Sequence, residues 1–344
     1  MTDVIAALMF AGVIAYAVLG GADFGAGLWD LTAGGAERGR RPRHLIDVSI
    51  GPLWEANHTW LIYCLVFLWT GFPRAFAAIT TTLYVPLGLA ALGIVVRGSG
   101  FAFRKVSLRT PEQRLYGAAF AVSSVVTPYC FGTVAGAIAS GRVPSRGNGN
   151  AITSWNNPTS VLGGVLAVLV CSYLAAVYLT DAARRTGEED MRLYYRDRAL
   201  LAAGVTGAVT VGGIFVLHSD AARLFHRLSH RGLPLLIIAG LCGVAGVFLL
   251  VTGTATRAVR GLRATAAAAV AAVVCGWGVA QYPFLLGTHL TLDEAASPRP
   301  TLWVLIAVAI AAGALILPSL ILLFGLFDRS RLDSSPSPEA GGAH

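Results

Sequence analysis

Three polar side chains stand close together in an apolar stretch: Glu55, Asn57 and His58, within GPLWEANHTWLI at residues 51–62. A carboxylic acid and an imidazole three residues apart fall on one face of a helix, where they can take up, hold and pass on a proton. A second acid, Asp23, lies in GGADFGAGLWD at residues 20–30, and Asp30 follows it on nearly the same helical face. Glu-x-x-His is also half of a di-iron helix motif, but that site needs a second copy and two further Glu residues, which the sequence lacks. The chemistry these types point to is proton handling, and a structural role in helix packing is the alternative for Asp23 and Glu55.

The elements that must carry these residues are membrane helices. Of 344 residues 55% are hydrophobic and 13% charged, and the mean hydropathy is +0.66, which places the chain among integral membrane proteins. A bilayer core of about 30 Å needs ~20 apolar residues per helix. Runs of that kind predict nine spans: 4–21, with the helix running on toward Trp29, then 48–70, 75–96, 115–139, 160–179, 199–217, 233–251, 264–286 and 302–327. The first is read as a structural helix and not a cleaved signal. The segments between spans are short and rich in Arg, Gly or Pro, so the expectation is one all-α transmembrane domain over 1–327, followed by a polar, disordered cytoplasmic tail over 328–344.

The formal charge of +8 is explained by topology and does not call for a nucleic-acid partner. Of the 26 Lys and Arg residues, 19 fall in the loops after spans one, three, five and seven and in the tail, against 7 in the other loops. The positive-inside rule then predicts an external N-terminus and a cytoplasmic C-terminus. In that orientation the first span descends to bring Asp23 and Asp30 near the cytoplasmic side. The second span rises so that Glu55 stands roughly 10 Å along its helix. Asp30, Asp23 and Glu55 thus form a candidate acidic ladder from the cytoplasm into the membrane. Intramembrane acids are costly and usually functional, which favours the proton reading over the structural one. Gly21 and Gly25 give the first span a small-residue face for close helix approach.

Other polar residues carry weaker signals. Arg97 at the end of the third span reads as a positive-inside residue that snorkels to the headgroups. Trp60 and Trp277 lie deeper than the interfacial tryptophans, with packing as the default; Gln281 shares a helical face with Trp277 in GWGVAQYPFLL. The five cysteines are scattered through the spans and read as free thiols. Only His58 is clearly inside a span and Met is nearly absent, so the chain is not expected to hold a haem by itself, nor any metal.

Taken together, GGADFGAGLWD, GPLWEANHTWLI, VVRGSGFAFR, SWNNPTSVLGG and GWGVAQYPFLL, in this order and at this spacing, resemble subunit II of the cytochrome bd quinol oxidases over nearly all nine spans. The resemblance implies a haem-free subunit in the bacterial cytoplasmic membrane, packed beside a homologous subunit I. That partner would bind the b- and d-type haems and the quinol and reduce dioxygen to water, with small single-span subunits as possible additions. It places Glu55 at the family's acidic position for proton delivery, Asp23 at an acidic position of the first helix and Trp60 at an aromatic tied to the oxygen route in some members. Trp277 and Gln281 are assigned to that route or to the partner interface. Glu-Ala-Asn-His stands here where many members have Asp-Gly-Asn-Gln, and Gly-Ala-Asp where they have Gly-Phe-Asp. Two other readings are a proton-coupled secondary transporter using Asp23 and Glu55, and a purely structural partner subunit. Inverted repeats with paired broken helices, expected of a transporter, are not evident in the sequence.

Overall fold

The computed structural model describes residues 1–35, 37–106, 110–252 and 256–333, setting aside side chains at 50–56, 101, 104–106, 110–114, 256–260, 317, 320–321 and 323–333. Glu55 is therefore placed as a helical residue, while its side chain lies outside the described residues. The long apolar runs fold as α-helices over most of their length, because inside a bilayer only a helix or a closed barrel satisfies its own backbone.

The helices are α1 (Thr2–Leu31), α2 (Arg40–Gly71), α3 (Pro73–Thr82), α4 (Tyr84–Val106), α5 (Thr110–Ala139), α6 (Pro158–Arg185), α7 (Glu189–Asp220), α8 (Ala222–His230), α9 (Leu233–Thr252), α10 (Thr256–Gln281), α11 (Leu292–Ala295) and α12 (Arg299–Asp333). A two-stranded antiparallel hairpin, β1 (Phe284–Leu286) and β2 (Leu290–Thr291), follows α10. Neighbours along the chain pair as hairpins, α4 with α5, α6 with α7 and α9 with α10, while α1 runs against α2, α5 and α6. It is the axis around which the polar residues gather.

Among the described residues seven helices are long and apolar enough to cross a membrane, or eight if the bent pair Asn57–Gly71 and Pro73–Thr82 is one span. The continuous third span expected over 75–96 is not formed. The chain turns by 115° between α2 and α3 and restarts at Tyr84, so the apolar run is divided between α3 and α4. Pro73 at the start of α3 has no N–H to continue α2. The eighth span expected over 264–286 ends at Gln281; Pro283 cannot extend a helix, and Phe284–Leu286 form β1 instead. α12 continues through the expected tail start at Asp328 as far as Asp333, and the remainder of the tail, 334–344, lies outside the described residues.

Two sequence motifs can be read as local structure. In SWNNPTSVLGG, the Asn157 side chain accepts a hydrogen bond from the Ser160 N–H at 3.0 Å and Pro158 occupies the first turn, a cap that starts α6. In GGADFGAG, Gly25 sits against the backbone of α6: a Cβ there would stand 1.9 Å from the Cys171 carbonyl oxygen. The small-residue face of α1 is thus the seat of α6, and Trp29 closes the contact by donating its indole N–H to the Ser172 carbonyl at 2.8 Å.

Candidate functional site

Asp23 is fully buried, and so is Arg97, at 2% exposure. The two form a bidentate pair: Arg97 Nη1 to Asp23 Oδ2 at 2.6 Å and Nη2 to Oδ1 at 2.8 Å, with Nη2 also reaching the Asp23 carbonyl at 2.9 Å. The snorkelling role expected of Arg97 is therefore wrong. Its guanidinium turns into the bundle because α1 offers a carboxylate there and α5 a hydroxyl: Arg97 Nε donates to Ser124 Oγ at 2.9 Å. Phe24 and Phe120 cover its two faces, with Cζ 4.8 and 4.7 Å from the ring centroids. Asn57, also buried, donates from Nδ2 to Asp23 Oδ2 at 3.2 Å.

Magnitudes explain why so many partners are present. Desolvation costs several kcal/mol per ion, whereas the Coulomb attraction at 4 Å is about 4 kcal/mol at an effective dielectric near 20. The pair alone does not recover its burial cost, so the Ser124, Asn57 and carbonyl bonds and the two aromatic faces make up the remainder. Gly27 makes this possible sterically: a Cβ at 27 would lie 2.2 Å from Ser124 Oγ.

Asn57 ties α2 to this cluster and fixes the height of its neighbours. Glu55, two residues earlier in α2, is about 3 Å away along the helix axis. His58 is half-buried and, with Tyr16, Phe24, Asn57, Leu61 and Arg97, lines a cavity of about 10 Å³. Asp30 is not joined to Asp23. It pairs with Arg43 Nε at 2.7 Å, at the end of the bundle where α1 passes into α2. Each of the two buried acids of α1 is thus matched by its own arginine.

Trp277 and Gln281 lie apart from this cluster, and Trp60 lies about one helical turn beyond Asn57 on α2. Trp60 packs edge-on to Tyr63, centroids 5.8 Å apart, and Tyr63 stacks on Phe67 at 4.2 Å. Trp277 packs on Phe10 of α1 at 5.7 Å, while Gln281 Nε2 donates to the Ile138 carbonyl of α5 at 3.3 Å. The face that Trp277 and Gln281 share on α10 therefore meets two different helices, toward the end of α1 opposite Asp23.

One polar cluster escaped the sequence reading. Asp181 of α6, 1% exposed, is surrounded by Arg184 at 3.0 Å, Arg185 at 3.1 Å and Arg263 of α10 at 2.7 Å. An acid with arginines at i+3 and i+4, directly after an apolar run, was the available signal.

The space beside His58 does not fit a haem. No group of three or more His, Cys, Asp or Glu side chains able to hold a metal occurs among the described residues, and the cavity beside His58 has room for about one water and not for a porphyrin.

Residues 1–327 match the family model described as cytochrome bd terminal oxidase subunit II. Cytochrome bd ubiquinol oxidase subunit 2 of Bacillus subtilis is 24% identical over 250 residues, 72% of this chain and 70% of that one. Cytochrome bd-I ubiquinol oxidase subunit 2 of Escherichia coli is 24% identical over 344 aligned positions, covering 89% and 88%. A chain of the bd oxidase from Geobacillus thermodenitrificans shares the fold, with a TM-score of 0.74 at 24% identity over 95% of this chain and 98% of that one. The family implies haems and quinol in the complex and a partnership with subunit I in the membrane. This chain belongs to the cytochrome bd terminal oxidase subunit II family, and is a multi-pass subunit of a bacterial membrane quinol oxidase.

Proposed function

We propose that this chain is the haem-free subunit that holds the haem-bearing subunit I and supplies a proton path to it from the cytoplasm. The observation that carries the reading is the buried polar cluster of Asp23, Asn57, Arg97 and Ser124, set between α1, α2, α4 and α5 at the height of Glu55 and beside the cavity that His58 lines. A polar island of this kind inside a membrane bundle is costly and marks a route for ions or protons. The entrance lies at the end carrying Asp30, Arg43 and the arginines around Asp181, the basic and by the positive-inside rule cytoplasmic end. Quinol oxidation releases protons and dioxygen reduction consumes them. Drawing the consumed protons from the cytoplasm separates charge without a pump.

In this reading Glu55 and His58 are the groups that carry protons. Asp23 lines the same path as a fixed charge, because both of its oxygens are committed to the Arg97 guanidinium. Trp60, Trp277 and Gln281 serve packing and the partner interface. Neither the geometry nor the family favours the transporter alternative.

The test is Glu55→Gln in the assembled complex. The amide keeps size and hydrogen bonding but cannot ionise. Normal haem content with markedly slower quinol-driven oxygen consumption is the expected result, and Glu55→Asp should retain much of the rate. Full-rate turnover of Glu55→Gln at every pH between about pH 6 and about pH 9 would overturn the proton-path reading.

A further inference from the structure

Two of the residues that line the cavity beside the Asp23–Arg97 pair carry buried polar atoms without partners among the described residues. The Tyr16 hydroxyl and the Asn57 Oδ1 are both buried and neither has a hydrogen-bond partner among the described residues. Tyr16 is otherwise held by aromatic contacts: it stands edge-on to Phe24 and to Phe131, with centroids 6.4 and 5.9 Å apart. These contacts fix its ring, so the hydroxyl has no freedom to swing to another acceptor. Asn57 is fixed in turn by its Nδ2 bond to Asp23, and its carbonyl oxygen lies beside Gly20 of α1, where the missing side chain leaves it room.

A buried hydroxyl and a buried amide oxygen left unpaired cost about 1–3 kcal/mol each. Native structures retain such atoms where water or a functional group satisfies them. The cavity volume, about 10 Å³, is close to the minimum for a single water and too small for any organic ligand. A water there needs two to four polar partners. Tyr16 can donate to it and Asn57 Oδ1 can accept from it.

We infer that Tyr16 and Asn57 hold one ordered water in this cavity, and that this water, next to His58, is a relay position on the proton path, with Tyr16 as the residue that positions it. The inference rests on the proton-path reading for its functional half and on the cavity alone for its structural half. The chemistry is balanced at each passage: the water accepts one proton from protonated His58 and releases one of its own toward the partner subunit, while Tyr16 keeps its proton and donates only a hydrogen bond. No group keeps a net charge. A water in this place also explains why the cavity is built against an ion pair that carries no proton itself, since Arg97 and Asp23 supply a fixed field and fixed geometry while the mobile proton stays on water and imidazole.

The experiment uses the complete oxidase, with its partner subunit and haems, and two measurements. A cryo-EM map that resolves ordered water should contain a density within hydrogen-bonding distance of Tyr16 Oη and Asn57 Oδ1, and Tyr16→Phe, which keeps the ring and its aromatic contacts, should lose it. Tyr16→Phe should also slow oxygen consumption several-fold and enlarge the rate ratio between H₂O and D₂O, with haem spectra unchanged. Absence of that density in the unmodified complex overturns the inference whatever the rates. Density lost in Tyr16→Phe with rate and isotope effect unchanged overturns the relay role and leaves Tyr16 a packing residue. Neither result bears on Glu55, whose own variant tests the underlying path.

Discussion

Asp23 and Asp181 are nearly equally buried, on helices that touch, and each is paired with arginine, yet the two sites are built on opposite plans. Asp23 has one guanidinium, itself only 3% exposed at the side chain, and the pair is neutral and sealed by Phe24 and Phe120. Asp181 has three, with side chains 23%, 44% and 31% exposed, so its arginines reach outward while the carboxylate stays inside. In the first case bulk water is excluded and every partner is required. In the second the aqueous end of the bundle screens the charges, and any one partner can be replaced by solvent. Burial of the acid alone therefore does not tell the two sites apart; burial of its counter-charge does.

The largest expected effect follows from removing that counter-charge. Arg97→Leu leaves Asp23 buried and unpaired, at a cost of about 3–5 kcal/mol. The complex should fail to accumulate or unfold under much milder conditions. Asp23→Leu combined with Arg97→Leu removes both charges and should recover most of the loss. A thermal-unfolding series of the purified oxidase that ranks the double variant below the single one would show that the pair is not the energetic centre of the site. Gly27→Ala attacks the same site without touching a charge. Its Cβ would displace Ser124 from Arg97, and overpacking of this kind costs about 1–3 kcal/mol. Adding Ser124→Gly should relieve the clash, though not restore the lost hydrogen bond.

The difference between the two sites also separates what the sequence could tell from what it could not. Hydropathy marked the membrane helices because each must be apolar along most of its length. The small face of Gly21 and Gly25 foretold a close neighbour, and α6 is that neighbour. Asp23 and the stretch around Glu55 stood out because acids are rare in such runs. The partner of Asp23 was hidden. Arg97 directly follows the apolar run over 75–96, where snorkelling is the ordinary fate of an arginine, and nothing local reveals that α1 and α5 present a carboxylate and a hydroxyl to it across long sequence separations. The break between α2 and α3 was hidden for a related reason: hydropathy reports how apolar a stretch is, and α3 is apolar enough to be read as the start of α4. Asp181 could have been found from its Arg184 and Arg185 neighbours, although the third arginine, Arg263, is a tertiary contact.

A smaller effect is expected at Asp181, and its response to salt sharpens the contrast. Asp181→Asn leaves three arginines that can turn to water, so the loss should be about 1 kcal/mol, within the range of exposed pairs. Raising ionic strength from ~0.1 M to ~1 M shortens the Debye length from about 10 Å to about 3 Å. The gap in stability between Asp181→Asn and the unmodified protein should narrow as salt rises, while the gap for Arg97→Leu should not. Equal salt sensitivity of the two would place them in the same dielectric surroundings and remove the distinction drawn between them.

The smallest effect belongs to an acid with no burial at all. Glu294 closes the capping box of α11 at the end of the bundle opposite Asp23: its carboxylate accepts from the Thr291 backbone N–H at 2.9 Å, and the Thr291 hydroxyl accepts from the Glu294 N–H at 3.3 Å. The Thr291 backbone bond, followed by its side-chain bond, holds the Glu294 carboxyl below its ordinary value of 4.5. The sign follows from that direction: the folded state favours the ionised form, so the cap's contribution is fully present above the unfolded value and is lost as pH falls through the lower folded one. Hydrogen exchange at the Thr291 amide reads this locally. Protection should be constant above about pH 5, by which point an unperturbed Glu is largely ionised, and should decline on acidification, after correction for the intrinsic exchange rate. Glu294→Gln should show weaker protection without that acid-side decline. Because this carboxylate is bathed in solvent, neither change should reach the stability of the oxidase as a whole. A global loss from Glu294→Gln comparable to that of Arg97→Leu would mean that exposure of the counter-charge does not set the scale of these sites.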